Sequence, residues 1–279
     1  VWLIFSLLAG LLFTLQGLLA RFVLKGDRDA WAFSFYFSLV GAVVSLPFMV
    51  INPKFSSQPV LWVVLIVVGA LIVLQNYLSF KSTSYLEASV QGALSKLKLL
   101  WVLLMGVIFL GESLTVLKVL GTGLTVAAGI IVYSKTEKIE SKLGVILTLV
   151  ATLVYTLVIG LYKLLFAEFN SSSLTFLIFA IPTAINFICM PQALQRIKNM
   201  AFTQGREVLL ATFLGGLANL AMNQALSLGE ASRVLVIIES FLIIVLLGEH
   251  IVLKEQTNLT KKAIAVVMAT VGAILILYK

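Results

Sequence analysis

Most ionisable residues of this chain lie outside its apolar runs, so the few inside them are where chemistry would concentrate. Lys96 and Lys98 fall in one such run, and Glu239 in another, with Glu249 at the end of its helix. Lys96 and Glu239 are 143 residues apart, and each follows an Ala-Ser pair (Ala88-Ser89, Ala231-Ser232) by about eight residues. That is roughly 12 Å into a helix rising 1.5 Å per residue. A cation and an anion at matched depth have three uses. They can hold the carboxylate and ammonium of a zwitterion, the carboxylate can carry a proton, or the two can neutralise each other as a structural pair. Lys98 is two residues from Lys96, about 200° round a regular helix. It is therefore predicted to leave the shared face and to snorkel or meet a carbonyl. His250 lies about 16 Å beyond Glu239 along the helix and reads as a helix-end group, with proton relay as the alternative. Glu249 reads as a cap or rim of the same end.

Uncharged polar groups widen the candidate site. Asn76 and Asn219 either bond between helices or line a cavity. Gln16, Gln91, Ser95, Tyr155, Asn186, Asn223 and Ser240 are further lining candidates, with Ser95 and Ser240 closest to the charged pair. Trp101 could stack on an aromatic substrate or pack against lipid. Glu87 and Glu230 start helices, where a carboxylate favours the macrodipole. Gly121, Gly123, Gly129, Gly215, Gly216 and Gly272 read as packing residues. The lone Cys189 and lone His250 exclude an intramolecular disulfide and a metal cluster. With no Walker sequence, ATP drive is not encoded, and no cofactor is expected. No Asp lies in a span, which argues against an intramembrane enzyme. Asn170-Ser171-Ser172 and Asn258-Leu259-Thr260 match the common glycosylation pattern.

The elements that position these residues follow from composition. Of the 279 residues, 61% are hydrophobic and 11% charged, against about 45–50% and 25% in soluble domains. The class is therefore a polytopic membrane protein, not a soluble enzyme, a nucleic-acid binder or a disordered chain. The net charge of +8 belongs to loops and not to a nucleic-acid surface. No signal peptide separates from the first apolar run. Ten runs are long enough to span: 2–20, 31–51, 60–78, 88–110, 116–133, 143–165, 174–190, 208–226, 231–247 and 263–277. Turn formers such as Lys25-Gly26-Asp27 and Asn52-Pro53-Lys54 join them. The longest polar stretches are 134–142 and 192–207. The short alternating strands of a β-barrel are absent, so an all-α bundle of ten transmembrane helices is predicted.

An offset of 143 relates the two halves. Asn76 maps to Asn219, Ser84 to Ser227, Glu87-Ala88-Ser89 to Glu230-Ala231-Ser232, Glu112 to Glu255, Lys118 to Lys261 and Gly129 to Gly272. Residues 74–133 share 16 identities in 60 positions with their mates. The organisation is a first repeat over 1–136, a linker over 137–143 and a second repeat over 144–279. Five spans per half force the copies into opposite orientations. Such inverted repeats are typical of secondary transporters that bind substrate near the midplane.

Tyr85-Leu86-Glu87-Ala88-Ser89, an apolar helix, Leu110-Gly111-Glu112-Ser113 and a Gly-bearing helix recur as Leu228-Gly229-Glu230-Ala231-Ser232, Leu253-Lys254-Glu255 and a helix with Gly272. This pattern resembles the drug/metabolite transporter superfamily, specifically the EamA-type ten-helix transporters, with Lys254 departing from the Gly of the motif. The resemblance implies export of amino acids and other small metabolites, or exchange of phosphorylated sugars and nucleotide sugars in related branches. The expected partners are a small-molecule substrate, the bilayer and, as coupling ion, the proton. A non-transporting assembly or receptor protein is the rival reading. A monomer or weak dimer in a cell membrane, of the bacterial inner-membrane type, is expected.

Loops after odd-numbered spans hold 13 Lys and Arg, and those after even-numbered spans with the C-terminus hold five. Alone, that count places the odd loops in the cytoplasm. The resemblance implies cytoplasmic termini instead. An even number of spans puts both termini on one side, and the side stays open.

Overall fold

The computed structural model describes residues 1–24, 29–83, 85–86, 94–133, 141–241 and 259–277. Gln91, Glu249 and His250 lie outside the described residues, as do Ser84, Glu87, Ala88, Ser89, Lys254, Glu255, Asn258 and the turn Lys25-Gly26-Asp27. The helices are α1 (Trp2–Leu24), α2 (Ala30–Ile51), α3 (Pro59–Thr83), α4 (Lys98–Phe109), α5 (Val116–Tyr133), α6 (Lys142–Leu165), α7 (Ser171–Cys189), α8 (Ala193–Leu228), α9 (Ala231–Ser240) and α10 (Leu259–Leu277). Each coincides with one apolar run, and no strand occurs among the described residues. Six of these helices are long and apolar enough to cross a membrane. The helices carry bare apolar side chains such as Ile4, Val63, Ile108, Leu157 and Val267, which a soluble bundle would bury. Buried hydroxyls bond back into their own helices, as Ser45 does to the Gly41 carbonyl and Thr148 to that of Gly144, so apolar surroundings leave them satisfied.

Three segments differ from expectation. The polar stretch 192–207 is not a loop, because α8 starts at Ala193 and runs 36 residues with non-helical backbone at Gln204. At about 1.5 Å per residue, only the part beyond that kink is needed to span. The fourth span is not one regular helix: Lys96 and Leu97 form a turn before α4 begins. The sixth helix starts one residue before the predicted span, since Ser141 caps α6 by accepting from the Gly144 amide and Lys142 is already helical.

The main helix pairings recur when the halves are exchanged. α1 packs on α8 as α6 packs on α3, α2 on α8 as α7 on α3, and α1 on α9 as α6 on α4. The mates α2 and α7, α4 and α9, and α5 and α10 pack on each other. At the α5–α10 crossing, a Cβ on Gly121 or Gly272 would meet the other's carbonyl oxygen at 2.6 Å, so both glycines serve close approach. Gly123, predicted to pack likewise, has nothing within 4 Å of its Cβ position.

Contacts between connections sort into two ends. At one, the Asn170 amide donates to the Asn52 carbonyl and the Lys54 amide to the Ser173 hydroxyl, while Trp2 packs by Gly229. At the other, Leu86 packs by Gly144 and Asp29 pairs with Arg196. Asn170 also accepts from the Ser173 amide, so its side chain is the cap of α7.

The first end holds a buried ionic cluster. Gly111 takes φ +66°, which a side chain would oppose, and so turns Glu112 back toward the bundle. The Glu112 carboxylate accepts from the Ala231 amide at 2.6 Å and from the Ser232 hydroxyl and amide. Glu112 of the first half thus caps α9 of the second. Glu230, expected to serve that helix start, makes no cap bond. Lys118, 1% exposed, lies 2.9 Å from Glu230 and 3.7 Å from Glu112, and donates to the Ser113 carbonyl at 2.8 Å. Arg233 lies 2.6 Å from Glu230 without hydrogen-bond alignment. Lys163 donates to the Leu226 and Gly229 carbonyls. Three of the five cations counted for even-numbered loops are therefore internally engaged. Losing the Glu112 charge leaves the α9 amides and Lys118 poorer in partners. Glu112→Gln should cost about 1–3 kcal/mol, read as a fall of several degrees in thermal unfolding in detergent.

At the opposite end Asp29 accepts from the Trp31 and Ala32 amides at 3.1 and 3.0 Å, and Arg196 grips both its oxygens at 2.5 Å. Burial alone would raise the Asp29 carboxyl, but the guanidinium and the two amides outweigh it and hold the group below its ordinary 3.8. A lowered folded value means stability that is complete above 3.8 and lost as pH falls through the folded value. Asp29→Asn should lower the melting temperature at pH 7, and the gap from the unaltered protein should close below pH 3.8.

Candidate functional site

The charged pair forms where α4 and α9 pack as repeat mates. Lys96 meets the Oε2 oxygen of Glu239, and Lys98 lies 2.6 Å from its Oε1. Lys98 therefore does share the face predicted to exclude it. The 200° rule assumes a regular α-helix, whereas the chain here bends through tighter bonds. The Leu97 amide donates to the Leu94 carbonyl, that of Leu99 to Lys96 and that of Leu100 to Leu97, each three residues back. Two long stems then converge on one carboxylate. The mate of this bend is similar: α9 ends as described at Ser240, where the Phe241 amide donates three residues back to Ile238.

The two lysines differ in access. Lys96 is buried, and a Cβ on Gly129 would strike its Cγ, so Gly129 leaves room for its stem. Gly129 thereby serves the ion pair, beyond the packing predicted for it. Lys98 keeps 21% of its side chain exposed, and its ammonium stands 5.0 Å from the Tyr155 ring centre, a cation–π contact.

A cavity of about 310 Å³ opens beside the pair. Lys98, Glu239, Asn76, Asn219 and Tyr155 line it, and α1, α2, α3, α4 and α6–α9 all contribute to its wall. Asn76 and Asn219, repeat mates from α3 and α8, reach the same space. Asn219 donates to the Gly215 carbonyl at 2.9 Å, whereas the buried Nδ2 of Asn76 has no partner. The Tyr155 hydroxyl lies 3.9 Å from the Met222 sulfur. The remaining wall is largely apolar and aromatic, with Phe13, Phe37, Ile72 and Phe179.

Other predicted residues lie elsewhere. Trp101 is 38% exposed on the outer surface and does not line the cavity, as its lipid-contact alternative requires. Gln16 is half-buried near Gly215, and neither it nor Ser95 contributes to the wall. Ser240 donates to the Ile237 carbonyl, a bond within its own helix. Asn186 bonds Trp31 and Asn223 bonds Thr175, so both serve packing. Sequence reasoning missed Gln75 and Tyr162, which also line the cavity. Tyr162 sits seven residues, about two turns, from Tyr155, a spacing that could have flagged it. Among the described residues no cluster of metal-ligating side chains occurs.

The search of curated proteins finds no match. Among solved structures 28 chains match. One, described as "Crystal structure of protein", superposes with a TM-score of 0.78 at 14% identity, covering 98% of this chain and 97% of its own. At that identity the likeness is one of fold. The model of the EamA-like transporter family matches residues 1–134 and again 142–278, one match per half. The chain belongs to the EamA-like transporter family.

Proposed function

We propose that this chain is a secondary active transporter, working as an exporter of small metabolites such as amino acids, by alternating access between two inverted five-helix repeats in a cell membrane of the bacterial inner-membrane type. The observation that carries the reading is the cavity itself: repeat mates from the two halves, Asn76 with Asn219, line it, and Glu239 there meets its own mate Lys96. Helix pairing that survives exchange of the halves supports two equivalent units able to rock about a central site. Five helices per half would invert the second copy, and the sorting of connections into two ends agrees with that count. Among the described residues, Glu239 is the carboxylate lining the cavity, a place where a proton can sit.

A second reading is exchange of phosphorylated or nucleotide sugars. It gains from Lys98 facing the cavity and loses from Glu239, which occupies both lysines. A doubly charged phosphate needs more uncompensated cation than this pair leaves.

Protein reconstituted in lipid vesicles should exchange labelled amino acids across the bilayer. Glu239→Gln should slow that exchange at least about tenfold, roughly 1.4 kcal/mol added to the transport barrier, while the melting profile stays cooperative. Near-normal exchange by the double variant Lys96→Met, Glu239→Gln would sink the role given to the pair. Failure to move any member of a broad metabolite panel, with one fixed protein co-purifying, would favour a non-transporting assembly role instead.

A further inference from the structure

Among the described residues, the charges at the cavity do not balance. Lys96 and Lys98 supply two ammonium groups and Glu239 one carboxylate, so this cluster carries a net +1. An excess charge held away from water is costly unless an opposite charge joins it. The surrounding polar groups lean the same way. The buried Asn76 Nδ2 is a donor without an acceptor, and it shares the cavity wall with Lys98. A ligand that completes the site must therefore bring an anionic acceptor.

The lysines divide the work by position. Lys96 is buried, its stem is hemmed in by the α5 backbone at Gly129, and it is not part of the cavity wall. Lys98 is part of that wall and keeps 21% of its side chain exposed. The carboxylate between them is split, one oxygen to each. The wall also holds Phe13, Phe37, Ile72 and Phe179, apolar groups beside about 310 Å³ of space, room for a phenyl-sized group.

We infer that Lys98 is the anion-recognition residue of this cavity, that Glu239 is its resting counter-ion, and that the ligand is a small organic carboxylate with an apolar body. On binding, the ligand carboxylate takes Lys98 and the Asn76 amide, while Lys96 keeps Glu239. The cluster passes from +1 to neutral. An amino group on the ligand can use the Glu239 oxygen that Lys98 releases, but binding does not depend on it. The carboxylate is required and the ammonium is optional. This inference rests on the transport reading only in taking the cavity as the cargo site.

Four probes with one phenyl body test it on the purified full chain in detergent, by titration calorimetry at fixed pH 7. They are 3-phenylpropionate, phenylalanine, 3-phenylpropan-1-ol and 2-phenylethylamine. The two carboxylates should bind at least tenfold tighter than the alcohol, and the amine weakest of all. Lys98→Met should weaken 3-phenylpropionate at least tenfold with little change for the alcohol, which doubles as the check that the cavity is intact. Lys98→Arg should restore the carboxylate. Glu239→Gln should tighten 3-phenylpropionate and remove any preference for phenylalanine over it. Amine binding as tight as the carboxylate, unchanged carboxylate affinity in Lys98→Met, or no binding of any probe by the folded unaltered protein would overturn the inference. Vesicle exchange of 3-phenylpropionate separates the two ideas. The expected order of binding without movement defeats transport and leaves the site, whereas movement that favours the amine defeats the site and leaves transport.

Discussion

A charge taken out of water inside a helical bundle must meet its opposite, because neither lipid nor apolar side chains can solvate it. Here several of the opposites come from different halves of the chain. Lys96 and Lys98 of the first half meet Glu239 of the second, and Lys118 of the first meets Glu230 of the second. The ionic contacts therefore fix how the two halves register against each other. They also explain an asymmetry in the repeat. Where mates approach each other across a pseudo-twofold axis, identical ionisable residues would set like charges together, so the copies must differ. Lys96 and Glu239 are mates and differ. Glu112 and Lys118 meet residues other than their own mates, and the sequence keeps the same types at Glu255 and Lys261. Divergence of one position and retention of the others follow from one electrostatic constraint.

The helical count, the two ends and the pairing of Lys96 with Glu239 were legible because they depend on apolar run length and on a fixed offset, both carried by residue type alone. What escaped depends on local departures from regular helix. Lys98 was predicted to face away because 200° holds only where each amide bonds four residues back, and around Lys96 the amides bond three back. The stretch 192–207 reads as a loop by polarity, yet polarity reports contact with water and not backbone conformation, and a helix outside the hydrocarbon can be polar throughout. Trp101 and Ser95 show a further limit. Residue type nominates a side chain for a cavity, but its direction round the helix decides whether it arrives. Asn76 and Asn219 reach the wall, while Asn186 and Asn223, of the same type, are spent on interhelical bonds.

The Leu-Gly-Glu turn has its physical meaning in the partner half. Gly111 supplies a left-handed residue, Glu112 swings round, and its carboxylate closes the open amides of α9 two amino acids past Gly229. A helix start buried inside a bundle has no water for those amides. A carboxylate from the other half satisfies them and compensates Lys118 in the same act. Local sequence near Ala231 would not disclose this, because the cap lies more than a hundred residues away.

Two joints thus tie α9 to the first half, and they differ in strength. At the end of the bundle, Glu112 binds two amides and a hydroxyl beside a fully buried lysine. Midway along, Lys98 holds one oxygen of Glu239 at the wall of a cavity. Under the proposed rocking motion the first joint behaves as a pivot and the second as the bond that gives, since only the second can exchange its partner for one of equal charge. A carboxylate that takes Lys98 loosens α9 from α4 at that level while Lys96 still holds Glu239. Occupancy of the site and freedom of the helix pair are then one event, which is the coupling that alternating access requires.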